Sequence, residues 1–170
     1  MDDAVTIVES SREATSPPEV ELGLLEEFLG FYLRLAYESA FQDFSQVLGP
    51  DSLKPGNFAL LSLIHENPGI TQTVLARASG RDKSSVTAGL RQLEDKGLIE
   101  RTRLEDDRRS YASRVTPEGL VVYQRIAVKA RTHMRRLDDI IGADRKPLLV
   151  AALKEIVAGL AERPTGDGTP

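Results

Sequence analysis

Three acids and two arginines are crowded into EDDRR, residues 105–109, within the longer stretch RTRLEDDRRSYASRVTPEG at 101–119. A guanidinium is planar, always charged and weakly hydrated, so it suits phosphate oxygens and narrow electronegative grooves. Asp107 directly precedes Arg108 and Arg109 and can brace that pair by ion pairing. The chemistry that this spacing predicts is ionic recognition of a partner.

Residues for covalent or metal chemistry do not occur at useful spacings. The chain has no cysteine, which excludes disulfides and thiol redox sensing. Its two histidines, His65 and His133, have no HxxxH spacing. No carboxylate pair, nucleophile with a base or phosphate-binding loop appears at a suitable spacing. We therefore expect no catalytic residue, metal or cofactor, and an enzyme is the weakest interpretation.

Charge is distributed unevenly along the 170 residues, although the net charge is −4. Residues 1–76 carry three basic and twelve acidic side chains, whereas residues 77–114 carry ten basic and seven acidic ones. A local basic surface is compatible with nucleic acid whatever the sign of the total. The acidic N-terminus does not resemble a signal peptide, and no apolar run is long enough to span a bilayer. We expect a cytoplasmic protein without membrane contact.

Two short helices joined by a tight turn are predicted before the arginine-rich stretch. Thr71 is expected to cap the first helix, with Val74, Leu75 and Ala78 facing inward, and Asp82 is expected to cap the second. The inward positions of the second helix and its C-terminal stop are Val86, Leu90, Leu93 and Gly97. Two packed helices with this spacing indicate a helix-turn-helix.

The outer face of the second helix suits DNA. One α-helix fits into a major groove, where small polar or basic side chains meet phosphates and base edges. The turn and the outward face supply Arg81, Lys83, Ser84, Ser85, Thr87 and Arg91. We predict that these residues contact DNA. The alternative is a pair of packed helices whose outer face is only solvated.

A β-hairpin is predicted next, because LIERTRL and YASRV have period-two character and EDDRRS joins them. A hairpin beside a groove-reading helix makes a winged helix-turn-helix, in which the hairpin tip reaches the neighbouring minor groove. The negative potential of that groove attracts arginine, so Arg108 and Arg109 are predicted to contact it. An ordinary charged turn is the alternative.

Longer helices are predicted on either side of this unit. A helix from 117 to 141, capped by Thr116 and ended by Gly142, is about 37 Å long at about 1.5 Å per residue. A domain this small cannot cover that length, so the helix predicts a homodimer. The expected organisation is a disordered segment 1–15, a dimerisation helix and linker 16–54, a DNA-binding domain 55–116, dimerisation helices 117–163 and a disordered tail 164–170.

The run from Phe58 to Gly119 resembles the MarR (multiple antibiotic resistance regulator) family of winged-helix transcriptional repressors. The residues that carry the resemblance are Leu75-Ala76, SSVTAGLRQLEDKGLIER at 84–101, Asp107, Arg109 and VTPEG at 115–119. The resemblance implies a mainly α fold with a small β-hairpin wing, in which long dimerisation helices flank the winged helix-turn-helix. It also implies a homodimer on a pseudo-palindromic DNA operator, with Arg109 in the minor groove. Ala88 departs from the pattern, because many relatives carry arginine there.

The family further suggests a small-molecule effector, often an aromatic acid or a related compound, between the dimerisation helices and the DNA-binding lobe. We expect that such an acid or its thioester releases the protein from DNA. The candidate ligand residues are Arg34, Tyr37, Phe41, Phe58 and His65. Aromatic residues that simply form core are the alternative.

Two further alternatives remain open. The basic residues Arg125, Lys129, Arg131, Arg135 and Arg136 crowd one helix. They indicate a solvated face, or else a contact with an anionic effector or the DNA backbone. A winged-helix module that binds protein instead of DNA is the alternative function, and it predicts no salt-sensitive binding to duplex DNA.

Overall fold

The computed structural model describes residues 20–49, 53–105 and 110–161, and the chain divides into two compact units, 1–35 and 36–170. The first unit contains a 3₁₀ turn, Gly23–Glu26, and the start of helix α1, Leu29–Leu48, whose remaining residues belong to the second unit. The sequence predicted one continuous helix from Ser16 onward. This expectation is corrected over 20–28, because Gly23 lies at φ +54° and interrupts helical backbone. Ser16 and the segments predicted to be disordered lie outside the described residues.

The predicted helix-turn-helix is formed by α3 (Gln72–Ser79) and α4 (Lys83–Asp95), and α2 (Pro55–Glu66) packs against both. These three helices share a core whose fully buried members are Leu60, Leu61, Ile64, Leu75, Val86, Leu90 and Leu93. A Cβ atom on Gly89 would lie 2.6 Å from Leu60 Cδ1, so at this close approach of α4 to α2 any larger residue would force the buried Leu60 side chain to shift. The expected inward positions on α3 need correction. Leu75 is buried, but Val74 and Ala78 are exposed, and Ala76 packs against the core instead.

The wing is a three-stranded antiparallel sheet in the order β1-β3-β2. Strands β2 (Ile99–Arg103) and β3 (Tyr111–Val115) confirm the predicted hairpin, with Ile99 opposite Val115 and Arg103 opposite Tyr111. Strand β1 (Ile70–Thr71) was not predicted, because two residues are too short to display an alternating pattern. It pairs Ile70 with Ser113 and so ties the start of α3 to the wing.

Two further helices complete the described chain, α5 (Pro117–Ile141) and α6 (Arg145–Ala161). The bounds of α5 match the prediction, because the Thr116 hydroxyl accepts a hydrogen bond from the Gly119 amide and Gly142 follows the last turn. A Cβ atom on Gly119 would lie 1.9 Å from the Leu98 carbonyl oxygen, so α5 meets the wing through a position that admits only glycine. Helix α6 has no buried residue.

Candidate nucleic-acid interface

The start of α4 is organised around Asp82. Its carboxylate accepts hydrogen bonds from the Ser85 amide at 2.8 Å, from the Ser85 hydroxyl at 2.6 Å and from the Ser84 hydroxyl. These hydrogen bonds stabilise the charged carboxylate, and the bond from Ser84 contributes most. Together they hold the pKa of Asp82 well below its usual range. Both serine hydroxyls therefore donate to Asp82, and toward DNA they offer their oxygens as acceptors.

Lys83, Thr87 and Arg91 are exposed on the outer face of α4, as expected, and Ala88 lies between them. The Arg91 guanidinium lies 3.9 Å from Asp95 in a pair whose side chains are 83% and 68% exposed. An ion pair this exposed contributes little, so Arg91 can exchange Asp95 for a DNA phosphate. Lys83 lines a polar cleft of about 200 Å³ with residues of α3 and the wing.

Thr87 is not a free hydroxyl. Its Oγ1 donates to the Lys83 carbonyl at 2.7 Å and accepts a hydrogen bond from Gln72 Nε2 at 2.6 Å. Gln72 is the first residue of α3, so the middle of α4 is tied to the helix behind it. For a contact with DNA, Thr87 therefore has mainly its methyl group and one remaining acceptor position on its hydroxyl oxygen.

Arg81 is held inside the domain. Its Nη1 donates to the Gly56 carbonyl oxygen at 3.2 Å, and the residue is partly buried. The contact ties the turn before α4 to the first turn of α2. Arg81 thus has a supporting role in the described structure, beside the DNA contact that the sequence predicts for it.

The wing arms contain an arginine that sequence reasoning missed. Arg101 Nη2 donates to Gln72 Oε1 at 3.3 Å, and its Nη1 lies 3.7 Å from Glu94 of α4. Its guanidinium carbon lies 5.0 Å from the centre of the Tyr111 ring. Period-two alternation was the available signal, because it places Arg101 on the same face of β2 as buried Ile99. Asp107, Arg108 and Arg109, predicted at the wing tip, lie outside the described residues.

The candidate effector residues are not all brought together. Phe58 packs in a stacked arrangement against Tyr123 at 6.0 Å, and His65 contacts the same ring at 4.3 Å between centroids. Tyr37 and Phe41 contact each other at 5.9 Å, and both are exposed. The α1 ring that contacts Phe58 is Phe44, an aromatic residue of the same helix that could belong either to the core or to a ligand pocket and is not among the five candidate ligand residues. Arg34 is exposed and belongs to the other compact unit.

The basic residues of α5 are partly engaged. Asp43 of α1 accepts hydrogen bonds from Arg136 at 2.5 Å and pairs with His133 Nδ1 at 2.7 Å. Lys129 Nζ donates to the Leu48 carbonyl oxygen at 2.7 Å. These contacts hold α5 against the C-terminal half of α1. Arg125 and Arg131 stay exposed, so the solvated-face interpretation applies to them and not to the whole group.

A cavity of about 490 Å³ lies between the end of α2, strand β3 and the start of α5. Its wall includes His65, Arg114, Val115 and Leu120. It combines apolar side chains with the guanidinium of Arg114, the imidazole of His65 and the carboxylate of Glu100. A mainly apolar wall with a few polar groups is the usual character of a small-molecule site.

Comparison with known proteins identifies the family. The sequence profile of the MarR family matches residues 53–111. A proposed transcriptional regulatory protein for the hcr operon of Thauera aromatica is 31% identical over 147 residues, which cover 86% of this chain and 89% of that protein. The chain belongs to the MarR family of transcriptional regulators, and the predicted family and fold class are confirmed.

Two solved structures of the transcriptional repressor CouR share this architecture. CouR bound to a 23-mer DNA duplex is 35% identical with a TM-score of 0.74, covering 82% of this chain and 99% of that one. CouR bound to p-coumaroyl-CoA is 32% identical with a TM-score of 0.73, covering 82% of this chain and 98% of that one.

Within residues 20–49, 53–105 and 110–161, no helix is both long and apolar enough to cross a membrane.

Proposed function

We propose that this protein is a cytoplasmic, non-enzymatic repressor that binds a pseudo-palindromic operator as a homodimer and is released by a small molecule. The observation that carries DNA binding is the placement of α4 beside the hairpin. Lys83, Thr87 and Arg91 lie on its exposed face, and its opposite face is buried in the core. CouR, a similar protein, has been solved on a DNA duplex.

Homodimer formation is supported by α6. Its large apolar side chains are exposed in the single chain: Leu148, Leu149, Val150, Leu153, Val157 and Leu160. Exposed apolar area of this extent on one helix is typical of an interface with another chain. A second copy suits it because two DNA-binding lobes about 34–36 Å apart match successive major grooves on one face of a duplex.

An aromatic acid or its thioester is the effector class that we propose. CouR, at 32% identity, has been solved with p-coumaroyl-CoA, which is an aromatic thioester. The rings of Phe44, Phe58 and Tyr123 pack between α1, α2 and α5, and His65 lies between this ring cluster and the cavity beside β3. A ligand in this region contacts both a long helix and the DNA-binding lobe. It weakens DNA binding only by binding the two arrangements unequally.

Selection from genomic fragments followed by ligand titration tests this function. The protein is incubated with sheared DNA of its own genome, and the retained duplex is then titrated with aromatic acids and their thioesters. We expect one compound to release the duplex, with an affinity change of about five- to 150-fold, the usual range of allosteric coupling. Retention of no specific duplex, together with no salt-sensitive binding to duplex DNA, favours the protein-interaction alternative. If a specific duplex is retained but no compound releases it at millimolar concentration, the proposed effector class is wrong, and the proposed DNA binding stands.

A further inference from the structure

The amide of Gln72 joins α4 to strand β2. Its nitrogen donates to the Thr87 hydroxyl at 2.6 Å, and its oxygen accepts from the Arg101 guanidinium at 3.3 Å. Thr87 lies 15 residues along the chain and Arg101 lies 29 residues along it, so both contacts are tertiary. We define these three residues as the Gln72 bridge.

Each end of the bridge is fixed by a second contact. The Thr87 hydroxyl donates to the Lys83 carbonyl of its own helix at 2.7 Å, which leaves its lone pair directed at Gln72. Arg101 is 18% exposed and also lies 3.7 Å from Glu94 and over the Tyr111 ring. The orientation of the Gln72 amide is therefore determined, because exchanging its nitrogen and oxygen sets donor against donor at Arg101.

The bridge lies between the two elements proposed to contact DNA. Thr87 is on the exposed face of α4, and the Arg101 guanidinium of β2 lies over the Tyr111 ring of β3. Gln72 itself starts α3, directly after β1, which is hydrogen-bonded to β3. A displacement of the wing therefore changes the Arg101 contact, and through the same amide it changes the support of Thr87.

We infer that Gln72 is a positioning residue that couples base reading by α4 to minor-groove contact by the wing. This inference rests on the proposed DNA-binding function. Because the bridge fixes the two elements relative to each other, DNA that misplaces one of them also misplaces the other. Sequence changes in the two grooves then do not act independently on affinity.

Four duplexes test the coupling, all derived from the sequence that the wild-type protein selects from a random library. One is the selected duplex, one is changed at the major-groove positions, one at the flanking minor-groove positions, and one at both. In wild type we expect the double change to weaken binding less than the product of the two single losses of affinity. The shortfall should be about two- to tenfold, which corresponds to the net contribution of one or two hydrogen bonds. In Gln72→Ala the two effects multiply independently.

Two further variants separate positioning from folding. Gln72→Glu keeps an acceptor for Arg101 but loses the donor to Thr87, so it too should make the two effects independent with unchanged thermal stability. Gln124→Ala removes an exposed glutamine of α5 and should keep the wild-type coupling. Coupling that survives in a folded Gln72→Ala or Gln72→Glu protein overturns the inference, as does its absence in wild type. If wild type selects no duplex at all, the proposed function fails with it.

Discussion

The helix-turn-helix, with α2 behind it, and the C-terminal helix differ in how completely a single chain buries their apolar side chains. In α2, α3 and α4 the large apolar side chains that face the core, such as Leu60, Leu75 and Leu90, are fully buried. In α6 no residue is buried, and Leu148 and Val157 are each 71% exposed. The first region buries its apolar core within the described part of one chain, whereas in the same part of the chain the second region leaves its apolar side chains exposed, and we propose that a second copy covers them. Mutations should therefore act through folding in the first region and through assembly in the second.

The largest effect is expected from a charge on α6. Leu153→Asp places a carboxylate where we propose that a second copy packs, and an uncompensated buried charge costs about 3–5 kcal/mol. The variant should be monomeric by analytical ultracentrifugation and should lose operator binding by a hundredfold or more. Glu155→Gln, a polar change on the same helix, is the control. A Leu153→Asp protein that remains dimeric would place the interface elsewhere.

The next effect is in the core of the DNA-binding lobe. Leu75→Ala removes a fully buried side chain and should lower the free energy of unfolding by about 2–5 kcal/mol. Leu160→Ala makes the same change at a position that is 61% exposed in the single chain, so in dilute monomer it should alter stability little. Urea unfolding of both variants, each in the Leu153→Asp background, measures the difference. Equal losses would contradict the contrast between the two regions.

Arg109→Ala should weaken operator binding by about tenfold to a hundredfold, the usual value of hydrogen bonds to a charged group, and leave the dimer folded. Fluorescence anisotropy with the selected duplex measures the affinity, and circular dichroism checks the fold. Arg103→Ala, on the arm of the same hairpin, is the comparison. Wild-type affinity of Arg109→Ala at moderate salt would remove the wing tip from the DNA contact.

The smallest effect concerns Asp82 and pH. Because the pKa of Asp82 is lowered on folding, its cap stabilises α4 fully above the unfolded pKa, about 3.9, and loses that effect as pH falls through the folded pKa. Asp82→Ala should therefore lower the thermal midpoint by a constant amount from pH 7 to pH 5. The gap should narrow only below about pH 4. Asp95→Ala, at the other end of α4, is the control, and a gap that closes above pH 5 would contradict the lowered pKa.

Local signals explain what the sequence could predict. Both bounds of α5 were predicted correctly, because they depend on local residue types. Thr116 caps the helix, Pro117 suits its first position, and Gly142 ends it. Asp82 likewise caps α4 as predicted, since a cap needs only residues three positions apart. The hairpin arms were predictable because the alternation of β2 and β3 is itself local.

Contacts between distant residues were not predictable in this way. Nothing in the sequence near Gln72 indicates that its amide lies between Thr87 and Arg101, because that depends on how α3, α4 and the wing pack. The same limit applies to the contact between Phe44 and Phe58. Phe41 and Phe44 are both aromatic residues of α1, so residue type alone does not indicate which of them contacts Phe58. The start of α1 was missed for a different reason, since Gly23 adopts a left-handed conformation within an otherwise helical apolar pattern.

We propose that this protein binds a specific duplex as a homodimer through α4 and the wing. Binding of the selected duplex measured against salt concentration, with the stoichiometry from sedimentation, tests it most directly. We expect two chains per duplex, and a log–log slope of affinity against salt of about −0.9 for each phosphate contacted. Scrambled DNA of the same length should bind about a thousandfold more weakly or worse. One chain per duplex, or equal affinity for scrambled DNA, would contradict it.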